Sequence, residues 1–369
     1  MKKIKIAFVI ESLEHRGAQK LMVDWAIRLQ QKGFDVHIVS FRYEQSPLIQ
    51  KIRKADLPLK FFHKTGRVDV SFFRDLIFYF KMEKFDIVHT HVFTANLWGQ
   101  LAAMWSKIPV RILHEHGYFS LSSKFRVHVV RWIAKRSTRI MVVSNHLKNE
   151  FVNRVGISAD KIEVVRNGVD WTSFDLPVHS EALRNGRFVV GVVGALEERK
   201  DPFNFIRAAE KILRKRNNVE FWWVGDGPLF PQVQDYLAEK KLTQNIKLWG
   251  SQPFVRPFLD QMDVFVLPSK TEGVPLSLLE AMGRGLPSVA TRVGENESII
   301  SNSENGLLVP SENHDSLSEA IEKLLDSPQK RSVFGKKAKV FARSHFSLVN
   351  SVDHLAALYK KLVESQNDA

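Results

Sequence analysis

The stretch Pro268-Ser-Lys-Thr-Glu-Gly-Val-Pro-Leu-Ser-Leu-Leu-Glu-Ala-Met-Gly-Arg-Gly-Leu-Pro287 decides the fold. Just before it, DVFVL (263–267) is a short apolar, β-branched run of the kind that forms a buried parallel strand. Pro268 ends that strand, and Glu272 and Gly273 fall in the turn that follows. Pro275 suits the first turn of a helix, where its missing N–H costs nothing. The helix runs on through Leu276 to Met282 and is ended by Gly283, Gly285 and Pro287. Backbone N–H groups near Gly273, Val274 and Leu276 are then free at the carboxyl end of a strand, a site suited to a phosphate or diphosphate. Glu272 and Glu280 flank it. Carboxylates repel phosphate but accept hydrogen bonds from hydroxyls. A diphosphate with polyhydroxylated groups on both sides, such as a nucleotide-sugar, satisfies both halves of the pattern.

Outward from this stretch, strand and helix signals alternate along the chain, which predicts an α/β protein with parallel sheets. Strand-like runs fall at 4–10, 34–41, 86–91, 110–116, 139–145 and 161–170 in the first half. The second half restarts at 187–196 and continues at 219–225, 246–250, 286–292 and 306–310. Amphipathic helical stretches separate them, among them 17–31, 94–106, 201–217, 230–240, 313–326 and 328–344. A join near Trp171 to Gly186 separates two Rossmann-like halves, and a last helix from about Leu348 to Ser365 lies beyond the second sheet. The expected domains are residues 1–178, residues 187–345, and a terminal helix and tail at 346–369.

Composition narrows the function. The 369 residues contain no cysteine, which removes disulfides and thiolate metal sites from consideration. IKIAFVI near the start is followed directly by Glu11 and Glu14 and reads as a first strand, not a signal peptide. No apolar run approaches the roughly 20 residues that span a bilayer. The net charge of +14 is uneven: residues 1–178 hold 29 Lys and Arg against 16 Asp and Glu, and residues 179–369 hold 25 against 24. A basic N-terminal half implies an anionic partner. No recognition helix, stacking-aromatic motif or zinc finger accompanies the charge, so nucleic acid is not the expected partner.

Glu272 and Glu280, with seven residues between them in the context EGVPLSLLEAM, resemble the E-x7-E motif of the retaining family 4 glycosyltransferases of the GT-B fold. The resemblance covers nearly the whole chain. It implies two Rossmann-like domains facing across a cleft, with the C-terminal helix crossing back to the first. HRGAQKLMVDWAIRL (15–29) resembles the family's first glycine loop, departing from it at the first glycine and at the acid, with Gly17 still permitting close approach to a phosphate. DIVHTH (86–91) is similar to the D-I-V-H-x-H segment, and His116 in HEHGYFS matches the histidine that reaches the donor sugar. GVVGALEERK (191–200) resembles the diphosphate-binding loop; Lys200 matches its lysine, Ala195 stands where an arginine is usual, and Arg199 is the nearest replacement. Ser298 occupies the usual acid position of the V-G-G-x-x-E segment, with Glu295 and Glu297 nearby.

The resemblance implies a hexosyltransferase acting with retention on a nucleoside-diphosphate sugar, UDP being the commonest nucleotide. Glu280 is expected on the ribose hydroxyls, Glu272 on those of the sugar, and Lys200 with the Gly273 to Leu276 amides on the diphosphate. His89 with His91, and His114 with His116, are two H-x-H pairs that invite a zinc hypothesis. The resemblance accounts for both pairs, and no D-x-D motif is present, so no metal or other cofactor is expected. The runs 70–85 and 118–139 mix aromatics with cations, the latter with six Lys and Arg and no acid. Such segments suit an anionic membrane surface. A glycan or lipid-linked acceptor at the cytoplasmic face, used for surface polysaccharide or glycolipid synthesis, follows as the expectation. The alternative is a catalytically weak scaffold that binds carbohydrate or a protein partner, motivated by Ala195.

Overall fold

The structure, a computed structural model, describes residues 3–14, 16–66, 68–176 and 186–367. Most of the join read between Trp171 and Gly186 thus lies outside the described residues. Elements follow in the order β1 (Lys5–Ile10), α1 (Gly17–Gln31), β2 (Asp35–Ser40), α2 (Pro47–Lys54), β3 (Leu59–Phe61), α3 (Val70–Glu83), β4 (Ile87–His91), α4 (Phe93–Trp105), β5 (Val110–Glu115), α5 (Lys124–Arg136), β6 (Arg139–Val142), α6 (Asn145–Glu150), β7 (Ile162–Val164) and α7 (Trp171–Asp175). Then come β8 (Phe188–Val193), α8 (Pro202–Leu213), β9 (Val219–Val224), α9 (Phe230–Glu239), β10 (Ile246–Leu248), α10 (Arg256–Leu259), β11 (Val264–Leu267), α11 (Leu276–Gly283), β12 (Ser288–Thr291), α12 (Asn296–Ile299), β13 (Leu307–Val309), α13 (His314–Leu325), α14 (Pro328–His345) and α15 (Leu348–Asn367).

The chain divides into two compact units. Unit 1 is Met1–Gly168 with Leu348–Ala369, and unit 2 is Val169–Ser347. Each is built on one parallel sheet, in the order β3-β2-β1-β4-β5-β6-β7 in unit 1 and β10-β9-β8-β11-β12-β13 in unit 2. In both, the first strand of the unit has neighbours on either side that are reached by crossovers in opposite directions. That reversal is the switch point of a doubly wound sheet, and loops leaving the carboxyl ends of the strands diverge there. Central strands such as β8 (FVVGVV) and β11 (VFVL) are apolar without alternation because helices cover both faces. In unit 2, Val190, Val192, Val264 and Val266 pack with Phe205, Phe221, Trp223 and Ile321. In unit 1, Ala7, Val9 and Val88 pack with Phe72, Leu76, Phe80 and Ala103.

α15 belongs to unit 1. Trp25 Nε1 on α1 donates to Ser351 Oγ at 2.9 Å, and Tyr359 on α15 is fully buried against unit 1. Local chemistry sets several boundaries differently from the periodicity. β6 stops at Val142, not at residue 145, because Ser144 caps α6 by accepting from the Leu147 N–H at 3.1 Å. Pro275 is the residue before α11, not within its first turn. α2 and β3 have no strong pattern in the sequence: α2 is eight residues with three cations, and β3 is a three-residue edge strand with Lys60 exposed.

Candidate active site

In unit 2 the E-x7-E stretch takes the place its sequence suggests. β8 and β11 are hydrogen-bonded neighbours. The loop after β8 carries Arg199 and Lys200 and meets the loop after β11, which carries Glu272. Glu272 is only 4 % exposed. Its Oε1 accepts from Lys200 Nζ at 2.5 Å and from Ser269 Oγ at 2.5 Å. Its Oε2 accepts from Arg199 Nη1 at 3.1 Å, and Arg199 is shared with Glu197 at 2.8 Å. Burial pushes the Glu272 carboxyl up, but the charges of Lys200 and Arg199 and the hydrogen bonds from Lys200 and Ser269 outweigh it, so the pKa is lowered. Thr291 Oγ1 in turn donates to the Ser269 carbonyl at 2.6 Å, which steadies the loop from β12.

The backbone here is tightly fitted. Gly294 has φ +52°, and a Cβ on it would lie 1.9 Å from the Glu272 carbonyl oxygen. Gly225 has φ +144°, and its Cβ would lie 2.1 Å from the Gly194 carbonyl oxygen, at the root of the Lys200 loop. Gly273 and Leu276 are partly exposed and Val274 is buried where the chain enters α11. The first N–H groups of α11 have no partner within the helix. Glu280 sits in the second turn of α11 and is 4 % exposed. Near the usual acid position, Ser298 Oγ donates to Glu295 Oε2 at 2.8 Å, and Glu295 is buried.

In unit 1, Gly17 opens α1 directly after the β1 loop and is exposed. His116 follows β5 immediately. His89, His91, His114 and His116 share one face of adjacent strands, in the register that pairs His91 with His114. His89 Nδ1 is hydrogen-bonded to Tyr359 Oη at 2.5 Å, and His89 Nε2 to His114 Nδ1 at 3.1 Å. His91 Nδ1 is hydrogen-bonded to His116 Nε2 at 3.0 Å. Burial first, then mutual repulsion, holds His89, His91 and His114 well below the usual imidazole range. His116 is half-buried, and its enclosed ring is lowered by burial to about 3. One nitrogen each of His89, His91 and His114 lie within 4.8 Å of one another, a spacing that a metal ion could use. The rings are aimed at each other instead: the planes of His89 and His114 differ by 7°, so ligation would require breaking their hydrogen bond and turning both rings.

Two family profiles cover the chain almost end to end. "Glycosyltransferase Family 4" matches residues 15–172, and "Glycosyl transferases group 1" matches residues 178–341. A UDP-Gal:alpha-D-GlcNAc-diphosphoundecaprenol alpha-1,3-galactosyltransferase of Escherichia coli is 30% identical over 98% of each chain. The chain belongs to glycosyltransferase family 4. A capsular polysaccharide biosynthesis glycosyltransferase of Staphylococcus aureus, CapM, is 26% identical over 91% of this chain and 92% of its own length. Anabaena HepE, solved with UDP-glucose, has a TM-score of 0.84 and 19% identity over 97% of this chain and 99% of its own. That likeness carries the GT-B fold.

Of the residues read from the sequence of this family 4 transferase, Lys200, Arg199, Glu272, Gly273, Val274, Leu276 and Glu280 collect around the β11–α11 turn and the loop beside it. Arg199 turns inward, as its position next to Lys200 left open. Two contributors were not read. Ser269 lies in the motif but carries no charge to mark it. Tyr359 is 270 positions from the histidine it touches. His91 was seen only as half of an H-x-H pair.

Proposed function

We propose that this glycosyltransferase moves a hexose from a UDP-sugar to a lipid-linked glycan acceptor, with retention and without a metal, in surface polysaccharide or glycolipid synthesis. The observation that carries the donor assignment is the grip on Glu272 by Lys200, Arg199 and Ser269 at the switch point of the second sheet. A UDP-sugar exchanges those partners. Its diphosphate takes Lys200, Arg199 and the backbone amides at Gly273, Val274 and Leu276. Glu272, released, accepts from hydroxyls of the sugar, and Glu280 accepts from the ribose. Arg199 supplies the cation that Ala195 does not, which favours an active enzyme over a weak scaffold. Unit 2 is accordingly the donor-binding domain and unit 1 the acceptor-binding domain.

In the reaction the bond from the anomeric carbon to the β-phosphate oxygen breaks as the acceptor oxygen bonds to the same face. The acceptor proton passes to the departing phosphate, and UDP leaves. Cations and amides stabilise the charge that develops on the diphosphate, a role worth about 3–4 kcal/mol per well-aimed donor. UDP-galactose is the first donor to try, being the sugar nucleotide in the name of the Escherichia coli relative. The test is UDP release from UDP-galactose, UDP-glucose and UDP-N-acetylhexosamines, with polyprenyl-diphosphate glycans as acceptors and EDTA present. A product of inverted configuration, or activity abolished by EDTA, would refute the mechanism.

Support for the membrane surface lies in unit 1. α4 packs between α3 and α5. The outer surfaces of the three expose Phe78 (65 %), Met82, Trp105, Phe125 (75 %) and Trp132. Arg126 lies 3.8 Å over the ring of Phe119, and Arg136 lies 4.1 Å over that of Trp132. Exposed rings bracketed by guanidinium groups suit the interface of an anionic bilayer. No helix among the described residues is long and apolar enough to cross a membrane. Attachment is then peripheral, at the cytoplasmic face where UDP-sugars are made.

A further inference from the structure

The two carboxylate oxygens of Glu272 are held differently. Oε1 takes Lys200 Nζ and Ser269 Oγ, each at 2.5 Å, and both of those residues are buried. Oε2 takes Arg199 Nη1 at 3.1 Å. The Arg199 side chain is 43 % exposed and is shared with the Thr271 carbonyl at 3.2 Å and with Glu197 at 2.8 Å. Oε1 therefore faces the interior of unit 2, and Oε2 lies beneath a side chain that reaches solvent. Ser269 is fully buried and fixed at its backbone. Its carbonyl accepts from Thr291 Oγ1 at 2.6 Å, and the next residue, Lys270, donates its N–H to the Arg199 carbonyl at 2.9 Å. The hydroxyl has one proton to give, and it goes to Oε1. Of the three side chains on Glu272, two are cations that a diphosphate attracts. The third is neutral, enclosed and tied to β12, so it stays when the cations turn away. The last torsion of a glutamate is soft and roughly two-fold, so a carboxylate that has lost both cations needs another bond to keep its direction.

We propose that Ser269 is a positioning residue for the donor sugar: its Oγ–H keeps Glu272 Oε1 turned inward and so leaves Oε2, the oxygen that Arg199 covers, as the acceptor for a sugar hydroxyl. The role rests on the assignment of Glu272 to the donor sugar, and every group it involves belongs to unit 2. The same bond has a second effect. Burial pushes the Glu272 carboxyl up, and the Ser269 bond acts with the charges and hydrogen bond of the two cations to bring it down. With Lys200 and Arg199 engaged on a diphosphate, Ser269 is what keeps Glu272 ionised and able to accept.

The test uses the full chain, with UDP-galactose as the donor probe and UDP as the inhibitor. Ser269→Ala removes the hydroxyl and leaves the backbone carbonyl that Thr291 holds. For this variant kcat/KM falls about tenfold or more, the loss of one hydrogen bond to a charged group, while inhibition by UDP, which has no sugar, is unchanged. The acid limb of kcat moves to higher pH, because the carboxyl has lost a bond that lowers its pKa. In a Glu272→Gln background, Ser269→Ala costs less than about twofold, since the group it acts through is gone. An unchanged kcat/KM in Ser269→Ala overturns the proposal. So does a fall that is equal in both backgrounds, that is matched by weaker UDP inhibition, or that leaves the acid limb in place, for each marks a merely structural serine. If Glu272→Gln itself turns over UDP-galactose normally, the assignment of Glu272 to the sugar fails, and Ser269 loses its role with it.

Discussion

Replacing Lys200 by Met separates two roles that one residue combines. Lys200 Nζ is 2.5 Å from Glu272 Oε1, and both side chains are nearly excluded from solvent, 11 % and 4 % exposed. Removing one member of a buried pair costs about 3–5 kcal/mol when the other is stranded. Here Glu272 keeps Arg199 at 3.1 Å and Ser269 at 2.5 Å, so about 2 kcal/mol is the expected loss. Glu272→Gln strands the Lys200 ammonium and should cost a similar amount. The double variant strands neither, so its loss should be smaller than the sum of the two by at least about 1.5 kcal/mol. Activity should behave otherwise. In the proposed division of roles, Lys200 on the diphosphate and Glu272 on the sugar, each single variant loses about 100-fold or more in kcat/KM. The double variant recovers none of it. Urea unfolding with hydrogen exchange read at β8 and β11 gives the first cycle, and UDP release from UDP-galactose gives the second. Additive stability losses would refute the buried-pair account. Recovery of turnover in the double variant would refute the division of labour at the donor.

Arg199→Ala should lower kcat/KM about tenfold and leave stability nearly unchanged, because its guanidinium is 43 % exposed and Glu272 retains Lys200; an unaltered kcat/KM would remove Arg199 as the substitute for the arginine absent at position 195. Gly225→Ala should cost about 2–4 kcal/mol and reduce activity together, since a Cβ 2.1 Å from the Gly194 carbonyl displaces the root of the Lys200 loop; thermal melts and turnover check both. Burial pushes the Glu115 carboxyl up to about 7 against an opposing hydrogen bond from Asn96. Its folded pKa lies above its unfolded value near 4.5, so its stabilising contribution is present below that value and lost as pH rises through about 7. Glu115→Gln should therefore raise Tm relative to wild type at pH 8 and not at pH 4.5. The four histidines act oppositely: their pKa values are depressed from 6.5, so they add stability above that pH and lose it as pH falls. A wild-type Tm that does not decline from pH 7 to pH 5 would contradict their neutral burial.

Much of this was legible in the sequence because the signals are local. β-branched apolar runs separated by amphipathic stretches specify parallel sheets with covered faces, and a strand, turn and helix around Glu272 specify a phosphate-type turn. What escaped depends on distant partners. Adjacent residues in a turn ordinarily diverge, by about 120° in a 3₁₀ turn. Yet Glu198–Lys200 forms such a turn, and Arg199 and Lys200 reach different oxygens of one carboxylate. Only the long reach of both side chains permits it. Period-two spacing puts His89 with His91 and His114 with His116, but the pairing of rings depends on the register of β4 against β5. The edge strand β3 and the short α2 carry too few apolar residues to stand out.

The membership of α15 in unit 1 has a consequence for how the protein is made. The ribosome releases all of unit 2, residues 169–347, before it releases the helix that unit 1 needs. Unit 2 can reach its final form during synthesis, because its own segment is continuous. Unit 1 cannot: Trp25 waits for Ser351, and His89 waits for Tyr359, through almost the whole translation of the chain. The nascent first sheet thus emerges with an uncovered apolar face and an unfinished histidine block, and it depends on chaperones or on the growing chain's own neighbours for that interval. A transcript ending just before codon 348 would supply all of unit 2 tethered to an incomplete unit 1.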